Sequence, residues 1–413
     1  MSLIVAWDGR AVGRLEQHAE RTREYEFTYT DASRALSLSL PTSQTSFTSM
    51  QSRPFFEALL PEGVVREQIA DQLKLAPGDS YSLLAALGRD CAGAIQIFET
   101  RRMSDTPAVN WLDDDGMNEL IAGLPRRPLG LRAADGRLRL SLAGVQRKAV
   151  LVRDRSGRYG EPLNGMPTTH ILKPDLPGHD FPAVAVNEFF CMTLARRCGL
   201  DSAHVELHRF AGRPCLVVER FDRDLETVPV RRRHQEDLCQ ALGLTPDFKY
   251  QQPDWTLPSY AALARLLNEH GSRPGADRLA VGQATLFHYL VGNADAHAKN
   301  ISLLHEEDGR VRMAPLYDVV CTAVDPDLHR DLALSIGDEF DPARIGEIEW
   351  DDLGTDLGLG GTAFRKLRRQ FARRVDDAAR SLREEALRDA WHEPVIDAIA
   401  EVISQRAGRI LTG

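Results

Sequence analysis

The sequence has no apolar run approaching the roughly 20 residues of a membrane span. Its first apolar run, Leu3-Ile-Val-Ala-Trp7, is too short for the core of a secretory leader and reads as a strand. There is no Cys-x-x-Cys pair: Cys91, Cys191, Cys198, Cys215, Cys239 and Cys321 are scattered, mostly through apolar segments. That argues against a structural zinc site and for buried free thiols in a reducing compartment, so the expected localisation is cytoplasmic. Positive charge is not in excess. Fifty-one Lys and Arg stand against 60 Asp and Glu, a net charge of −9. This argues against an obligate electrostatic nucleic-acid binder while leaving room for local basic patches. Internal repeats and low-complexity tracts are absent as well. What remains is an ordinary globular composition, 43% hydrophobic and 27% charged, in 413 residues, enough for two or three domains.

The chain is organised around Leu286-Phe-His-Tyr-Leu-Val-Gly-Asn-Ala-Asp-Ala-His-Ala-Lys-Asn-Ile-Ser-Leu303. This stretch begins as an apolar helix and ends as an apolar strand. The turn between them holds Asn293, Asp295, His297, Lys299 and Asn300. Polar crowding between two buried elements is costly unless the groups hold something. Asp295 and Asn300 stand in the order and separation of the Asp and Asn of the protein-kinase catalytic loop, D-x-x-x-x-N. There the Asp orients and deprotonates the attacking hydroxyl and the Asn binds magnesium. The spacing alone is weak and needs the rest of the apparatus.

Residues 1–100 read as a small α+β unit with strands at Leu3–Trp7, Tyr25–Thr30 and Ala94–Phe98. Its helices are expected through Phe55–Gly63, Val65–Leu73 and Tyr81–Leu87. The unit carries no constellation of reactive residues and reads as a docking or scaffolding subdomain. A loose stretch over 101–137, with one helix around Gly116–Leu124, leads to strands at Leu138–Leu142 and Lys148–Arg153. The Ser141–Lys148 turn between them has the layout of a phosphate-covering loop. With only Gly144 in it, it fits neither G-x-G-x-x-G nor a Walker loop, and alone it reads as a hairpin.

In Thr168-Thr-His-Ile-Leu-Lys-Pro174, alternation puts Ile171 and Lys173 on one strand face, so Lys173 is expected at a buried surface near an anionic partner. The alternative is an edge lysine reaching water. An amphipathic helix over Pro182–Gly199, with Pro182 near its first turn, carries Asn187 and Glu188. A strand lysine followed by a helix glutamate matches the kinase pair that holds the α- and β-phosphates, although Glu188 also reads as a surface residue. A hairpin over Val205–Phe210 and Cys215–Glu219 ends in Glu219-Arg-Phe-Asp-Arg223, where a kinase hinge would pass behind the nucleotide. Helices follow at Tyr260–Glu269 and Asp277–Val291. The hairpin Ile301–Ala314 then delivers Asp318 from a buried strand at the place of the second magnesium ligand, with Leu316-Tyr-Asp-Val in place of Asp-Phe-Gly. Two further helices, Thr362–Leu387 and His392–Leu411, include a basic cluster, Arg365–Arg374, read as a solvated face.

Together these parts appear in kinase order, and their wording resembles one family: the HipA-type serine/threonine kinase toxins of bacterial toxin–antitoxin pairs. The matching words are Ser141-Leu-Ala-Gly-Val-Gln-Arg-Lys148, Thr169-His-Ile-Leu-Lys173, Asn187-Glu188, Glu219-Arg-Phe-Asp-Arg223, His234-Gln-Glu-Asp237, Asp295-Ala-His-Ala-Lys-Asn300 and Tyr317-Asp318, with Phe55–Gly63 in the N-terminal part. The resemblance spans nearly the whole chain. It implies an α+β, two-lobed protein-kinase-like fold of the HipA and phosphatidylinositol 3/4-kinase type. The expected parts are an N-terminal subdomain (1–100), a β-rich nucleotide lobe (101–225) and a helical catalytic lobe (226–413), with ATP between the lobes.

Position by position, the resemblance implies that Asp295 is the catalytic base and that Asn300 and Asp318 hold Mg2+. It places Lys173 on the nucleotide phosphates with Glu188 as partner. Glu219, Arg220, Phe221 and Asp222 mark the adenine stretch, with main-chain contacts from Glu219 to Phe221. Ala143, Gly144, Val145, Gln146, Arg147 and Lys148 form the phosphate-covering loop. His297, Lys299 and Asn300 line the phosphate site, beside Tyr317 and Asp318. Ser141 matches the serine that family members autophosphorylate to switch themselves off. The family also implies a protein substrate, an aminoacyl-tRNA synthetase and typically the glutamyl enzyme, whose modification stalls translation. Its partner is a helix-turn-helix antitoxin that carries the toxin onto operator DNA.

Two other readings compete. One is a small-molecule phosphotransferase, opposed by the Ser141 loop and the N-terminal subdomain. The other is a non-catalytic corepressor, opposed by intact Lys173, Asp295, Asn300 and Asp318. A metal-dependent hydrolase built on His288, Asp295 and His297 lacks any further ligand set with zinc spacing. His297 beside oxygen ligands is expected on phosphate rather than metal, because magnesium prefers oxygen.

Overall fold

Strands β1 (Ser2–Trp7) and β2 (Arg10–Gln17) open the fold as a hairpin with Trp7 opposite Arg10. The two residues between them, Asp8 and Gly9, both take positive φ (44° and 85°), which a tight primed hairpin turn requires. The structure is a computed structural model that describes residues 2–17, 24–99, 106–127, 129, 147–176 and 183–412. The chain divides into two compact units. The first comprises residues 1–174, 209–213 and 217–247; the second comprises 175–208, 214–216 and 248–413.

In the first unit β3 (Tyr25–Tyr29) and β4 (Ser46–Phe47) extend the hairpin on one side and β5 (Ile95–Glu99) on the other, in the order β4-β3-β2-β1-β5. Helices α1 (Ser49–Ala58), α2 (Gly63–Leu73) and α3 (Ser80–Leu87) contribute to the same core. Alternation along the strands turns Leu3, Val5, Leu15 and Phe27 inward against Phe55, Phe56 and Tyr81, all essentially without solvent exposure. The rings of Phe27 and Phe56 lie 5.4 Å apart.

A second sheet follows from β6 (Ala108–Trp111), β7 (Ala149–Arg153), β8 (Tyr159–Leu163), β9 (His170–Pro174), β10 (Val205–Phe210) and β11 (Arg213–Glu219). Its order is β10-β11-β9-β7-β8-β6, and the division between the units runs through β10 and β11. Helix α4 (Asp114–Gly123), started by Asp113 accepting from the Gly116 N–H at 2.9 Å, lies between β6 and β7 in sequence. Strands β6 and β8 have no counterpart in the sequence reading. The expected strand at Leu138–Leu142 and the start of helix 182–199 at Pro182 lie outside the described residues.

The last segment of the first unit, residues 217–247, is held to the unit's N-terminal part. What holds it is a set of buried hydrogen bonds around β12 (Arg223–Asp224), β13 (Arg231–Arg232), β14 (Gln235–Asp237) and α6 (Leu238–Leu242). Glu236 accepts from the Leu38 N–H at 3.1 Å and from the Ser37 hydroxyl. Gln240 Nε2 donates to the Phe55 carbonyl at 3.0 Å, and His234 Nε2 bonds the Leu36 carbonyl at 2.7 Å. These polar ties, about 200 residues apart in sequence, are invisible to periodicity.

The second unit holds α5 (Val184–Arg197), α7 (Tyr260–His270), α8 (Pro274–Val291), α9 (Glu347–Asp356), α10 (Gly361–Arg388) and α11 (Pro394–Thr412). It also holds the antiparallel hairpin of β15 (Ser302–His305) and β16 (Val311–Met313). Helix α10 buries Phe364, Phe371, Val375 and Leu382 at helical spacing, and most of its basic residues are solvated as expected. Arg368 is the exception. It is buried, paired with Glu347 at 2.7 Å and placed over the Trp350 ring. No helix among the described residues is long and apolar enough to cross a membrane, and all six cysteines are buried free thiols.

Candidate active site

Helix α8 starts with Pro274 in its first turn and ends at Gly292, whose φ of 76° lets its N–H cap the last turn. A Cβ at Gly292 would sit 2.8 Å from Ala323 Cβ and 2.9 Å from Val402 Cγ1, so the turn also needs the absence of a side chain. From this fixed end the chain enters the polar turn and leaves through a short 3-10 segment, Ala298–Asn300, into β15.

The turn is held by its own polar groups. Asn293, buried, donates from Nδ2 to His288 Nδ1 at 3.1 Å and accepts the Asp295 N–H on Oδ1 at 2.9 Å. The Asp295 carbonyl accepts from the His297 N–H (2.8 Å) and from Asn300 Nδ2 (3.1 Å). Asp295 and Asn300, the D-x-x-x-x-N pair, are therefore joined directly. Asp295 is exposed, whereas His297 and Lys299 are buried. Burial pushes the His288 imidazole down to about 4, so at neutral pH it is the uncharged acceptor that Asn293 needs.

The Asp318 stretch is laced onto the same turn. The Tyr317 hydroxyl donates to the Lys299 carbonyl at 2.6 Å and meets Ser302 Oγ at 2.6 Å. Thr322 Oγ1 accepts the Ala294 N–H (2.9 Å) and donates to the Gly292 carbonyl (3.0 Å), and the Ala323 N–H reaches the same carbonyl. Asp318 has a φ of 58°, a conformation uncommon outside glycine. Helix α5 joins through Asn187, which bonds both the N–H and the C=O of Cys321, and places Glu188, 1% exposed, next in sequence. Glu188 is thus not the surface residue that the sequence left open.

Asn300 and Asp318 are a hard-oxygen pair of the kind magnesium takes. With Asn300 Nδ2 engaged by Asp295, its Oδ1 has no hydrogen bond among the described residues. The donor set therefore fits Mg2+. Groups of three or more His, Cys, Asp or Glu able to hold a metal are absent among the described residues.

In the first unit Lys173 on β9 and Lys148 at the head of β7 are both buried, as strand alternation predicts for Lys173. The Arg220 and Asp222 side chains lie in a buried ionic network. Arg220 Nη2 bonds Asp222 Oδ2 at 2.7 Å, Arg223 Nη2 bonds Asp90 Oδ1 at 3.0 Å, and Arg232 Nη2 reaches Asp90 Oδ1 at 2.9 Å. Burial opposes the charge on Asp90, but the guanidinium groups of Arg223, Arg232 and Arg220 outweigh it and lower its carboxyl. Burial, joined by repulsion from Arg220, pulls Arg223 down to about 10. The Arg220 N–H also bonds the Thr169 carbonyl (2.9 Å), and its own carbonyl accepts from Arg223. In this unit Arg220 and Asp222 thus tie strand to loop. Glu219 and Phe221 remain partly exposed, and Arg147 lies beside Lys148. Ser141 and Ala143, Gly144, Val145 and Gln146 lie outside the described residues.

One contact was not anticipated. The Tyr250 hydroxyl donates to Asp295 Oδ1 at 2.7 Å from a loop 45 positions upstream. No motif spacing signals it.

The family comparison decides the identity. The HipA-like C-terminal domain matches residues 140–385, and the HipA N-terminal domain matches residues 3–98. The chain belongs to the HipA family. Among relatives, the putative kinase Y4mE of Sinorhizobium fredii is 40% identical over 395 residues, covering 92% of this chain and 90% of that protein. The serine/threonine-protein kinase toxin HipA of Shewanella oneidensis is 31% identical over 355 residues, covering 83% and 79%. The fold is similar to the solved complex of the Shewanella oneidensis toxin–antitoxin system HipA, HipB and its operator DNA. That match has a TM-score of 0.79 and 28% identity, covering 99% of this chain and 96% of that one. The match bears out the expected α+β kinase-like fold.

Proposed function

We propose that the chain is an ATP- and Mg2+-dependent serine/threonine protein kinase with Asp295 as catalytic base. The observation that carries this is the direct tie of Asp295 to Asn300, with Tyr317 fastening the Asp318 stretch to the same turn. Asp295 accepts the proton of a substrate hydroxyl, whose oxygen attacks the γ-phosphorus of ATP. The bond from that phosphorus to the bridging oxygen breaks, and ADP leaves. Positioning and charge neutralisation dominate this chemistry, so one aligned carboxylate and a few cationic groups suffice. Asn300 and Asp318 would hold Mg2+, which supplies neutralisation of phosphate charge. Lys173 contacts the nucleotide phosphates with Glu188 as its partner, and Arg147 and Lys148 close the phosphate-covering loop begun at Ala143. Lys173 and Glu188 are each buried, which supports for each a role other than that of a surface residue. His297 and Lys299 line the phosphate site. The Glu219 and Phe221 main chain takes the adenine.

The substrate is a protein hydroxyl, of an aminoacyl-tRNA synthetase and foremost the glutamyl enzyme. Phosphorylation of Ser141 switches the kinase off. A helix-turn-helix antitoxin neutralises the chain and carries it to operator DNA, a reading supported by the HipA–HipB–DNA complex of Shewanella oneidensis. The test is intact-mass and peptide mass spectrometry after incubation with Mg-ATP, wild type beside Asp295→Gln. One phosphate on Ser141 in the wild type alone supports the proposal. Equal phosphate in both removes Asp295 from its role.

A further inference from the structure

Tyr250 sits on a loop that is fastened on both sides of it. The Lys249 carbonyl accepts the Ala298 N–H at 3.0 Å, inside the catalytic turn. On the other side the Gln251 N–H donates to the Ala333 carbonyl at 2.9 Å, and Gln251 Oε1 accepts from the Ser335 N–H at 3.0 Å. The Ala333 N–H in turn reaches the Ala294 carbonyl, next to Asp295. The Tyr250 ring meets the His297 ring edge-on at 5.2 Å and 83°. A phenol so anchored has little freedom to swing, and its hydroxyl lies 2.7 Å from Asp295 Oδ1.

Asp295 is exposed, and its side chain makes no other hydrogen bond among the described residues. A solvent-exposed carboxylate with no partner samples several rotamers, and a general base must present one oxygen in one direction. We infer that Tyr250 is a positioning residue for Asp295: its phenol holds Oδ1 and thereby leaves Oδ2 turned to the acceptor hydroxyl of the substrate. This rests on the reading of Asp295 as the base. The same geometry limits what the phenol does. It donates a hydrogen bond to Oδ1 and keeps its proton, while the proton of the acceptor hydroxyl goes to Oδ2, so Tyr250 contributes orientation and takes no part in bond making.

Tyr250→Phe keeps the ring against His297 and removes the hydroxyl alone. The experiment follows phosphate incorporation into the full chain from γ-labelled Mg-ATP, with phosphopeptide mapping. It uses wild type, Tyr250→Phe, Asp295→Asn and the double variant. The expected result is an about tenfold lower maximal rate for Tyr250→Phe with the KM for ATP unchanged. Adding Tyr250→Phe to Asp295→Asn should cost nothing more, because a residue acting through Asp295 has no effect once the carboxylate is gone. Equal fold losses in both backgrounds would overturn the inference, as would an undiminished rate in Tyr250→Phe beside a disabled Asp295→Asn. Label found on Tyr250 itself would make it an acceptor instead and also overturn it. Full activity in Asp295→Asn would instead bring down the reading of the base.

Discussion

Asn187 closes a two-point contact on the backbone of Cys321, donating from Nδ2 to its carbonyl at 3.1 Å and accepting its N–H on Oδ1 at 2.8 Å. Both residues are wholly buried, so helix α5 and the irregular segment that follows Asp318 are joined by a buried contact. Leucine at 187 preserves the volume but strands a buried donor and a buried acceptor. Asn187→Leu should lower stability by about 2–4 kcal/mol, read as the urea midpoint. An unchanged midpoint would mean that another group satisfies Cys321.

Gly292→Ala tests the turn that launches the catalytic loop. The new Cβ meets Ala323 and Val402 below 3 Å at a residue whose φ is 76°. Left-handed strain and overpacking together should cost about 2–4 kcal/mol and lower the thermal midpoint by several degrees.

His288 should make the protein acid-sensitive. Its folded value is about 4 against an ordinary 6.5, held down by burial. The unfolded chain therefore binds this proton more readily. The stabilisation is complete above about pH 6.5 and is lost as the pH falls towards 4. Between pH 7.5 and 5 the wild type should lose about 2 kcal/mol from this group. In His288→Gln that loss should be missing, which urea titrations at the two pH values would reveal.

The ionic network in the first unit should behave as a unit. Asp90→Ala leaves Arg223 and Arg232 buried beside an empty place, which should cost about 3–5 kcal/mol. Circular dichroism during thermal melting would read it, and a neutral outcome would show that the arginines find other acceptors.

Asp295→Asn should lower the rate of phosphoryl transfer by about 10²–10⁴ while leaving the melting temperature within a degree or two, since the side chain is exposed. A stopped-time assay with labelled ATP separates this from unfolding.

Much of the fold was legible because hydrophobic periodicity is local. Helix α8 with its capping glycine, hairpin β15–β16 and the long helix α10 all follow from patterns within one segment. Strands β6 and β8 were missed because Ala108–Trp111 is almost wholly exposed and Tyr159–Leu163 contains a glycine and a proline, so neither alternates cleanly. The bonds from Glu236, Gln240 and His234 to residues 36–55 could not be read from the sequence, because they join segments far apart in the chain.

The sequence by itself determined which residue types stand at the candidate site, in what order and at what spacing. Asp295, Asn300, Asp318, Lys173 and Glu188 could be singled out because chemistry restricts the residues able to do such work. Tertiary structure alone decided which of them meet and what holds them. It joined Asn300 to the Asp295 carbonyl, fastened Tyr317 to Lys299, set Asn187 on Cys321 and brought Tyr250 onto Asp295. It also committed the Arg220 and Asp222 side chains to a buried network instead of an open site. The physical reason is one of range. Backbone periodicity is a property of neighbours in sequence. A buried hydrogen bond is selected by the desolvation cost of leaving it unmade, wherever along the chain its partner lies.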